Sequence, residues 1–198
     1  MSSLHSIRQQ LRKQRKLLTS FQQKQAAYAC LSKIMHLSQF QHAKHIGLYL
    51  DAFGEIETRL FFLYCFKLKK TVYLPKICEM NQRLTWVKVT KNQYLNYRFS
   101  KHQLGMYQPQ NHRGIHTQNL DLLFMPLLGC DAYGTRLGMG GGFYDRTLAD
   151  CPTTPYRVGL AHDFQLISTP LVRRAWDQPI DALCTPSHYH RFNSKRYN

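Results

Sequence analysis

The sequence predicts a single α/β domain, and two observations support this prediction. Short apolar or β-branched runs alternate with segments of helical period from residue 45 onward, the pattern of domains in which strands and helices share one layered core. The chain has 198 residues, 43% of them hydrophobic, which is enough to bury one sizeable core. We therefore expect one domain over residues 1–198.

Two helices are expected before the first strand, within residues 1–38. The first runs from Ser6 to Leu18, where Ile7 and Leu11 form a narrow apolar stripe among basic side chains. The second begins with Ser20 as its N-cap, because apolar residues then recur at steps of three and four. Those apolar residues are Ala27, Cys30, Leu31, Ile34 and Met35.

Strands and helices then alternate. The apolar and β-branched runs predict strands at His45–Leu50, Thr71–Leu74 and Leu84–Val89. Thr58 is expected to cap a helix between the first two strands. Pro75 is expected to end the second strand, because proline cannot donate a backbone hydrogen bond.

The second half of the chain begins with a polar stretch, residues 92–119, in which no period is sustained. We expect an irregular excursion there. Order returns with predicted strands at residues 120–128, 157–161 and 180–183 and a short helix at 144–148. Residues 188–198 are basic and aromatic and are expected to fray as a tail.

The composition limits the class of protein. Lys and Arg number 27 against 11 Asp and Glu, a formal net charge of +16, which favours partners rich in phosphate or carboxylate. No signal peptide or run long enough to span a membrane is found, so a cytoplasmic enzyme is expected. The six cysteines have no C-x-x-C pair, and we expect reduced, mostly buried thiols.

The most informative segment lies between residues 134 and 142, where five of nine residues are glycine. Glycine lets backbone N–H groups approach a ligand closely, and a run of such groups cradles phosphate oxygens. Arg136 within the segment adds a guanidinium donor. The sequence matches neither the Walker A pattern nor G-x-G-x-x-G, so a phosphate site of another design is predicted. The alternative is a tight strand-to-helix turn.

Asp145 follows this glycine loop and could hold Mg²⁺, which is usually bound by one or two carboxylates together with nucleotide phosphates and water. The alternative for Asp145 is a carboxylate that the helix dipole favours near a helix N-terminus.

At these residues the sequence resembles the 5-formyltetrahydrofolate cyclo-ligases, also called methenyltetrahydrofolate synthetases. The resemblance covers nearly the whole chain, and its strongest part is a signature from Pro126 to Arg146. Its matching residues are Pro126, Leu127, Asp131, Gly134, Arg136, Leu137, Gly138, Gly140, Gly142, Tyr144, Asp145 and Arg146. Weaker matches follow in the family's order along the chain, among them Arg8, Arg12, Glu55, Thr58, Gln165, Trp176, Asp177, Asp181 and Pro186.

The resemblance implies a mainly parallel sheet with helices on both faces, a Rossmann-like three-layer fold. It also implies an enzyme that uses ATP and Mg²⁺ to convert 5-formyltetrahydrofolate into 5,10-methenyltetrahydrofolate, ADP and phosphate. ATP would phosphorylate the formyl oxygen, N10 would attack the activated carbon, and phosphate would leave as the ring closes. A monomer fits the family.

The resemblance also assigns residues to roles. Arg136 and Tyr144 are the expected catalytic residues. Leu50, Glu55 and Tyr144 are expected to bind the folate, and Asp145 and Asp177 the metal. The expected ATP-binding residues are Arg8, Arg12, Gly134, Thr135, Arg136, Leu137, Gly138, Met139, Gly140, Gly141 and Gly142.

Several of these assignments have plainer alternatives. Arg8 and Arg12 could form a solvated basic face, Glu55 could be a surface turn residue, and Asp177 precedes Gln-Pro as turn residues often do. The sequence departs from the family at Gln108, where a Glu-Pro pair is expected, so an acidic contact there is lost or replaced by an amide.

Two rival functions remain at this point. The charge of +16 and the basic, aromatic tail would suit a nucleic-acid-binding protein, but such a protein leaves the glycine loop unexplained. A sugar-phosphate isomerase or acyl-transferase could use a similar scaffold, since fold alone does not fix chemistry. If the chain is a folate enzyme, its excess of Lys and Arg over Asp and Glu suits substrates with polyglutamate tails. No nucleic-acid or membrane partner is then expected.

Overall fold

The computed structural model describes residues 4–111 and 113–192. The helices are α1 (Leu4–Lys16), α2 (Ser20–Ile34), α3 (Ser38–His42), α4 (Arg59–Lys67), α5 (Lys91–Leu95) and α6 (Phe143–Leu148). The strands are β1 (His45–Gly47), β2 (Thr71–Cys78), β3 (Arg83–Val89), β4 (Phe99–Lys101), β5 (Tyr107–Pro109), β6 (Leu122–Pro126), β7 (Gly129–Asp131), β8 (Arg136–Leu137), β9 (Tyr156–Leu160), β10 (Leu166–Ile167), β11 (Ala182–Cys184) and β12 (Tyr189–Arg191).

A seven-stranded sheet forms the centre of the domain, in the order β12-β11-β9-β6-β1-β2-β3. The five inner strands, β11 to β2, pair in parallel, and one antiparallel strand closes each edge. The remaining strands form two small sheets, with the strand orders β10-β7-β8 and β4-β5. The predicted α/β class with a mainly parallel sheet is confirmed.

Both faces of the central sheet are buried. On β6, Leu122 and Phe124 belong to one apolar cluster while Leu123 and Met125 belong to another, because successive side chains of a strand point to opposite faces. Helices α2, α3 and α4 cover the first face, and α6 contributes Leu148 to the second. Helices therefore lie on both faces, as predicted.

Helix α1 packs away from these two clusters. Its Leu11 is buried with Leu128 and Leu137, and Ile7 packs against them. Leu137 lies on β8, within the glycine loop. The narrow apolar stripe predicted for this helix therefore fastens it to the segment that carries the loop.

Three local predictions are corrected. Strand β2 continues through Pro75, because its pairing with β1 ends at Tyr73, opposite Gly47, and Pro75 pairs with Trp86 of β3. Helix α2 is capped by Thr19, whose hydroxyl accepts from the Gln22 backbone, and Ser20 is its first residue. The polar stretch 92–119 contains most of α5 and the β4-β5 hairpin.

The tail prediction is wrong for residues 189–191, which form β12. This strand pairs antiparallel with β11, and the Tyr156 and Tyr189 hydroxyls lie 3.2 Å apart. Residues 193–198 fall outside the described residues. Sequence patterning missed the strand because an edge strand of three residues has no sustained alternation.

The cysteine prediction is confirmed: all six thiols are free and five are buried. Within the described ranges, no helix combines the length and the apolar character that crossing a bilayer requires.

Candidate active site

A cavity of about 940 Å³ opens where the carboxyl ends of the central parallel strands face the glycine loop. Tyr49 and Leu50 follow β1, Ile77 lies near the end of β2 and Pro126 ends β6, and all four line the cavity. Open parallel sheets bind their ligands in this position, because the loops that follow the strands diverge there and leave a crevice. Helix α1 and the segment 171–177 complete the walls.

The glycine loop forms one wall. Asp131 fixes its entry, since one carboxylate oxygen accepts from the Tyr133 and Thr135 backbone N–H groups at 3.0 and 2.8 Å and the other from Leu171 at 2.9 Å. Gly140 has a φ of +109°, and a Cβ there would meet no atom within 4 Å. The loop backbone is therefore bare toward the cavity at this point, as a surface that binds phosphate must be.

The loop residues do not all reach the cavity. Thr135 to Gly142 line it without a gap. Gly134 does not: its α-carbon faces the Phe192 ring, and its carbonyl accepts from the Ile180 backbone at 3.2 Å. The positive φ of +77° at Gly134 serves the turn after β7. The structure thus separates Gly134 from the other predicted ATP-binding residues.

Helix α1 lies across the loop. Arg8 donates through Nε to the Gly138 carbonyl and Arg12 donates through a terminal nitrogen to the Met139 carbonyl, both at 3.2 Å. Both arginines line the cavity. Each retains further N–H donors for a ligand, because a guanidinium carries five. The alternative of a wholly solvated basic face does not describe these two residues.

Arg136 and Tyr144 meet at the centre of the same wall. A terminal nitrogen of Arg136 lies 2.8 Å from Asp145 Oδ1, and its guanidinium carbon lies 5.5 Å from the centre of the Tyr144 ring. Arg136 Nε is buried without a hydrogen-bond partner among the described residues. Burial raises the pKa of the Tyr144 hydroxyl well above its ordinary value, so Tyr144 is a neutral hydrogen-bond donor there.

Glu55 also lines the cavity, from the turn between β1 and α4. Thr58 donates to Asp51 from both its backbone and its hydroxyl at 2.9 Å, which closes this turn, and Glu55 Oε2 accepts from the Ala52 backbone at 3.0 Å. Burial raises the pKa of the Glu55 carboxyl to about 7, while the nearby Arg15 guanidinium acts in the opposite direction. The plainer reading of Glu55 as an exposed turn residue is wrong, because its side chain is 10% exposed.

Asp145 and Asp177 line the same cavity but are already engaged. Asp145 Oδ1 accepts from Arg136 and from the Gln178 backbone at 3.2 Å, and Asp177 Oδ2 accepts from the Arg174 backbone at 2.8 Å. The described residues contain no group of three or more His, Cys, Asp or Glu side chains that could hold a metal ion. A metal here would need ligands from elsewhere, which suits an ion carried by a nucleotide.

Sequence reasoning missed Arg15. This residue of α1 is 1% exposed, and its guanidinium lies 3.7 Å from Glu55. Arg8, Arg12 and Arg15 follow at steps of four and three, which places them on one helix face. That spacing was the available signal. Trp176, with the Arg174 guanidinium 5.5 Å from its ring, was noted only as a family match and lines the cavity with Arg174.

Gln108 also lines the cavity. Its amide oxygen accepts from the Ile77 backbone at 3.3 Å, so at this position an amide makes a main-chain contact that joins the β4-β5 hairpin to β2.

The fold and the cavity define a class of protein: an α/β enzyme whose cavity is lined by a bare glycine loop, several arginines and a buried carboxylate. Residues 1–186 match the 5-formyltetrahydrofolate cyclo-ligase family, and the chain belongs to that family. The resemblance found in the sequence is confirmed.

Individual relatives agree. The chain is 36% identical over 183 residues to the 5-formyltetrahydrofolate cyclo-ligase of Haemophilus influenzae, covering 88% of this chain and 92% of that one. The Escherichia coli K12 cyclo-ligase is 33% identical over 186 residues, with 89% and 97% covered. The NMR structure of Aquifex aeolicus 5,10-methenyltetrahydrofolate synthetase superimposes with a TM-score of 0.81 at 26% identity, covering 98% and 95%.

A second solved structure supports the fold alone. The 5,10-methenyltetrahydrofolate synthetase of Mycoplasma pneumoniae superimposes with a TM-score of 0.71 at 19% identity, covering 93% of this chain and 99% of that one.

Proposed function

We propose that this enzyme converts 5-formyltetrahydrofolate into 5,10-methenyltetrahydrofolate at the expense of ATP, releasing ADP and phosphate. The observation that carries the proposal is one cavity of about 940 Å³ lined by the glycine loop, by arginines and by the buried Glu55. The loop and the arginines suit phosphates, and the carboxylate suits the N–H donors of a pterin. A nucleotide and a folate can therefore meet within one enclosure.

The reaction has two steps, phosphoryl transfer and ring closure. The formyl oxygen attacks the γ-phosphorus and ADP leaves. N10 then attacks the formyl carbon, the phosphorylated oxygen departs as phosphate, and N10 loses its proton as the ring closes. Phosphoryl transfer depends mainly on positioning and on neutralising charge, so few protein groups have to react chemically.

The loop residues Thr135 to Gly142 would hold the phosphates, with Arg8 and Arg12 on the nucleotide side. Arg136 would stabilise the negative charge that develops on the transferred group, since its guanidinium lines the cavity beside the loop. Tyr144, stacked beside it, would donate its hydroxyl hydrogen near the formyl group. Gly134 is left out of this set because it faces Phe192.

The folate would lie against Leu50 and Glu55. An ionised carboxylate accepts hydrogen bonds only, and it can take two parallel N–H donors from a pterin ring. The high pKa of Glu55, about 7, makes this contact dependent on pH in the neutral range.

Magnesium belongs to the proposal as a companion of ATP. Asp145 and Asp177 would contribute carboxylate oxygens from the cavity wall, a number that fits an ion otherwise held by phosphates and water. When bound, the ion would neutralise phosphate charge. Removing divalent cations with a chelator should abolish turnover, and magnesium in excess over the chelator should restore it. Full turnover in the chelated enzyme would remove the metal from the proposal.

We propose further that the enzyme is a monomer located in the cytoplasm. We also propose that its folate substrate carries a polyglutamate tail, which the net charge of +16 supports. Size-exclusion chromatography with light scattering tests the monomer.

The activity test is direct. Purified enzyme is mixed with 5-formyltetrahydrofolate, Mg²⁺ and ATP, and the near-ultraviolet absorbance band of the methenyl product is followed. We expect a rise that depends on ATP, with omission of ATP as the control. A flat trace from folded enzyme would refute the proposed reaction and direct attention to nucleic-acid binding, measured by filter binding at two salt concentrations.

A further inference from the structure

Arg15, the buried arginine of α1, has no assigned contact with ATP or with the folate. Arg8 and Arg12 contact carbonyls of the glycine loop, whereas Arg15, on the same helix face, is 1% exposed. It is absent from the residues that line the cavity. A ligand in the cavity would therefore not touch it, and any effect on the reaction must pass through a neighbouring group.

The contacts of Arg15 are long for a buried cation. One terminal nitrogen lies 3.5 Å from the Leu127 carbonyl and 3.7 Å from Glu55 Oε1, and the other lies 3.8 Å from Met139 Sδ. Its Nε is buried without a hydrogen-bond partner among the described residues. Burying a charge is costly unless it is closely paired. This geometry is poor for stability, which argues that the charge serves another purpose.

Within residues 4–111 and 113–192, the carboxylate in an ion pair with Arg15 is that of Glu55. The turn that carries Glu55 also packs directly on the helix backbone, because a Cβ on Gly54 would lie 2.7 Å from the Arg15 carbonyl oxygen. Helix α1 and this turn therefore hold each other at a fixed distance. Glycine at 54, with a φ of +74°, is what permits the approach.

We propose that Arg15 is a positioning residue which keeps the Glu55 carboxylate ionised and aimed into the cavity for the folate. The proposal rests on the proposed function, because Glu55 is taken there as the group that binds the pterin. It adds a role for a residue that touches neither substrate.

The charges around Glu55 agree with this role. Burial raises the pKa of Glu55 to about 7, Arg15 opposes that rise, and Asp51 adds to it. The other titratable groups that face this region are held in their neutral forms. Burial raises the pKa of the Tyr49 and Tyr144 hydroxyls. Burial lowers the pKa of the His162 imidazole, whose Nε2 lies 3.2 Å from the Gly54 carbonyl oxygen. Arg12 interacts with Arg15 itself. Arg15 is thus the cation that favours ionised Glu55.

The test is the pH profile of the Michaelis constant for 5-formyltetrahydrofolate between about pH 6 and about pH 9. In Arg15→Met the loss of the cation should move the pH midpoint of KM upward by about one unit from about 7. KM should then rise about fivefold at about pH 7 and about tenfold at about pH 6, since one pKa unit is a tenfold change in the ionisation equilibrium. The value of kcat should change less. Arg15→Lys, which keeps a charge, should restore most of the loss.

Two controls separate positioning from general damage. Lys16→Met removes an exposed cation of the same helix and should leave KM and its midpoint unchanged. In a Glu55→Gln background, Arg15→Met should change folate KM by less than about twofold, because the group it acts through is absent. An unmoved midpoint in Arg15→Met, or full additivity of the two substitutions, would overturn the proposal.

A measurement without turnover keeps this test distinct from that of the reaction. Carbon NMR of labelled glutamate, assigned with Glu55→Gln, gives the Glu55 pKa in the unliganded enzyme. This pKa should lie near 7, rise in Arg15→Met, and rise much less in Arg15→Lys, which keeps the charge. If the Glu55 pKa behaves this way and no methenyl product forms, the proposed function fails alone. If product forms and the pKa is insensitive to residue 15, the positioning role fails alone.

Discussion

Replacement of Arg136 by alanine is the sharpest perturbation of the proposed phosphate wall. The substitution removes the ion pair with Asp145 at 2.8 Å and the contact with the Tyr144 ring. It also removes the buried Nε that has no partner among the described residues. The two contacts act on stability, whereas the proposed role of the guanidinium is to act on the transferred phosphoryl group, so the two effects can be measured separately.

The magnitudes follow from burial. The Arg136 side chain is 5% exposed and the Asp145 side chain 21%, so the pair is partly shielded from water. A hydrogen bond to a charged group is worth about 1.5–3 kcal/mol, and Asp145 keeps its bond from the Gln178 backbone. We expect a loss of about 2 kcal/mol in the free energy of unfolding, a fall in Tm of roughly 4–8 °C for a chain of this size.

The expected loss of activity is much larger. Removing one donor that stabilises transition-state charge costs about 10²–10³ in kcat, and loss of an arginine at a transferring phosphoryl group costs about 10³–10⁵. We expect kcat to fall by about 10³, with a smaller change in the KM values. Arg136→Lys should recover only part of this, because lysine lacks the planar fork of donors.

The assay is single-turnover and steady-state formation of the methenyl product, with unfolding in urea measured on the same preparations. The reasoning would be refuted by kcat within about tenfold of wild type in a folded Arg136→Ala enzyme. A loss of kcat that disappears when the measured unfolded fraction is subtracted would refute it equally.

Three further predictions concern other parts of the site. Gly54→Ala should lower the free energy of unfolding by about 2 kcal/mol or more, measured by urea titration. The reason is that the added Cβ would lie 2.7 Å from the Arg15 carbonyl oxygen, at a residue whose φ is +74°. An unchanged denaturation midpoint would contradict the packing of this turn on α1. The pKa of Glu55 is raised from 4.5 in the unfolded chain to about 7 in the folded one, so the folded state binds the proton more tightly. The contribution of protonated Glu55 to stability is therefore full below about pH 4.5 and is lost as pH rises through 7, a total of about 3 kcal/mol. The difference in unfolding free energy between wild type and Glu55→Gln should show this slope, and a difference independent of pH would exclude it. Longer polyglutamate tails should lower the folate KM, and added salt should weaken this gain; equal KM values for mono- and polyglutamate substrates would remove the role given to the charge of +16.

Some features of the site were accessible from local sequence. The glycine loop was recognisable because closely spaced glycines and an internal arginine have few other uses. The order of the α/β elements was recognisable because strands buried on both faces are short, apolar and flanked by turns. The family signature around Arg136 required no structure, since its spacing is carried entirely by neighbouring residues.

The structure decided what depends on residues distant along the chain. Pro75 remains within a strand because β1 ends early, which is a property of the partner strand. Residues 189–191 form a strand because β11 offers them an edge. Gly134 belongs to the signature yet turns away from the cavity, because Phe192 occupies its outer side. In each case the deciding neighbour lies far away in sequence.

The sequence by itself determined the α/β class, the family and the loop that lines the cavity, because each rests on local periodicity or close spacing. Only the tertiary structure placed Arg15 beside Glu55, 40 positions apart in the printed numbering. Burial then gave that carboxyl a pKa of about 7. Burial and charge pairing depend on which segments share a space, and no local pattern records that.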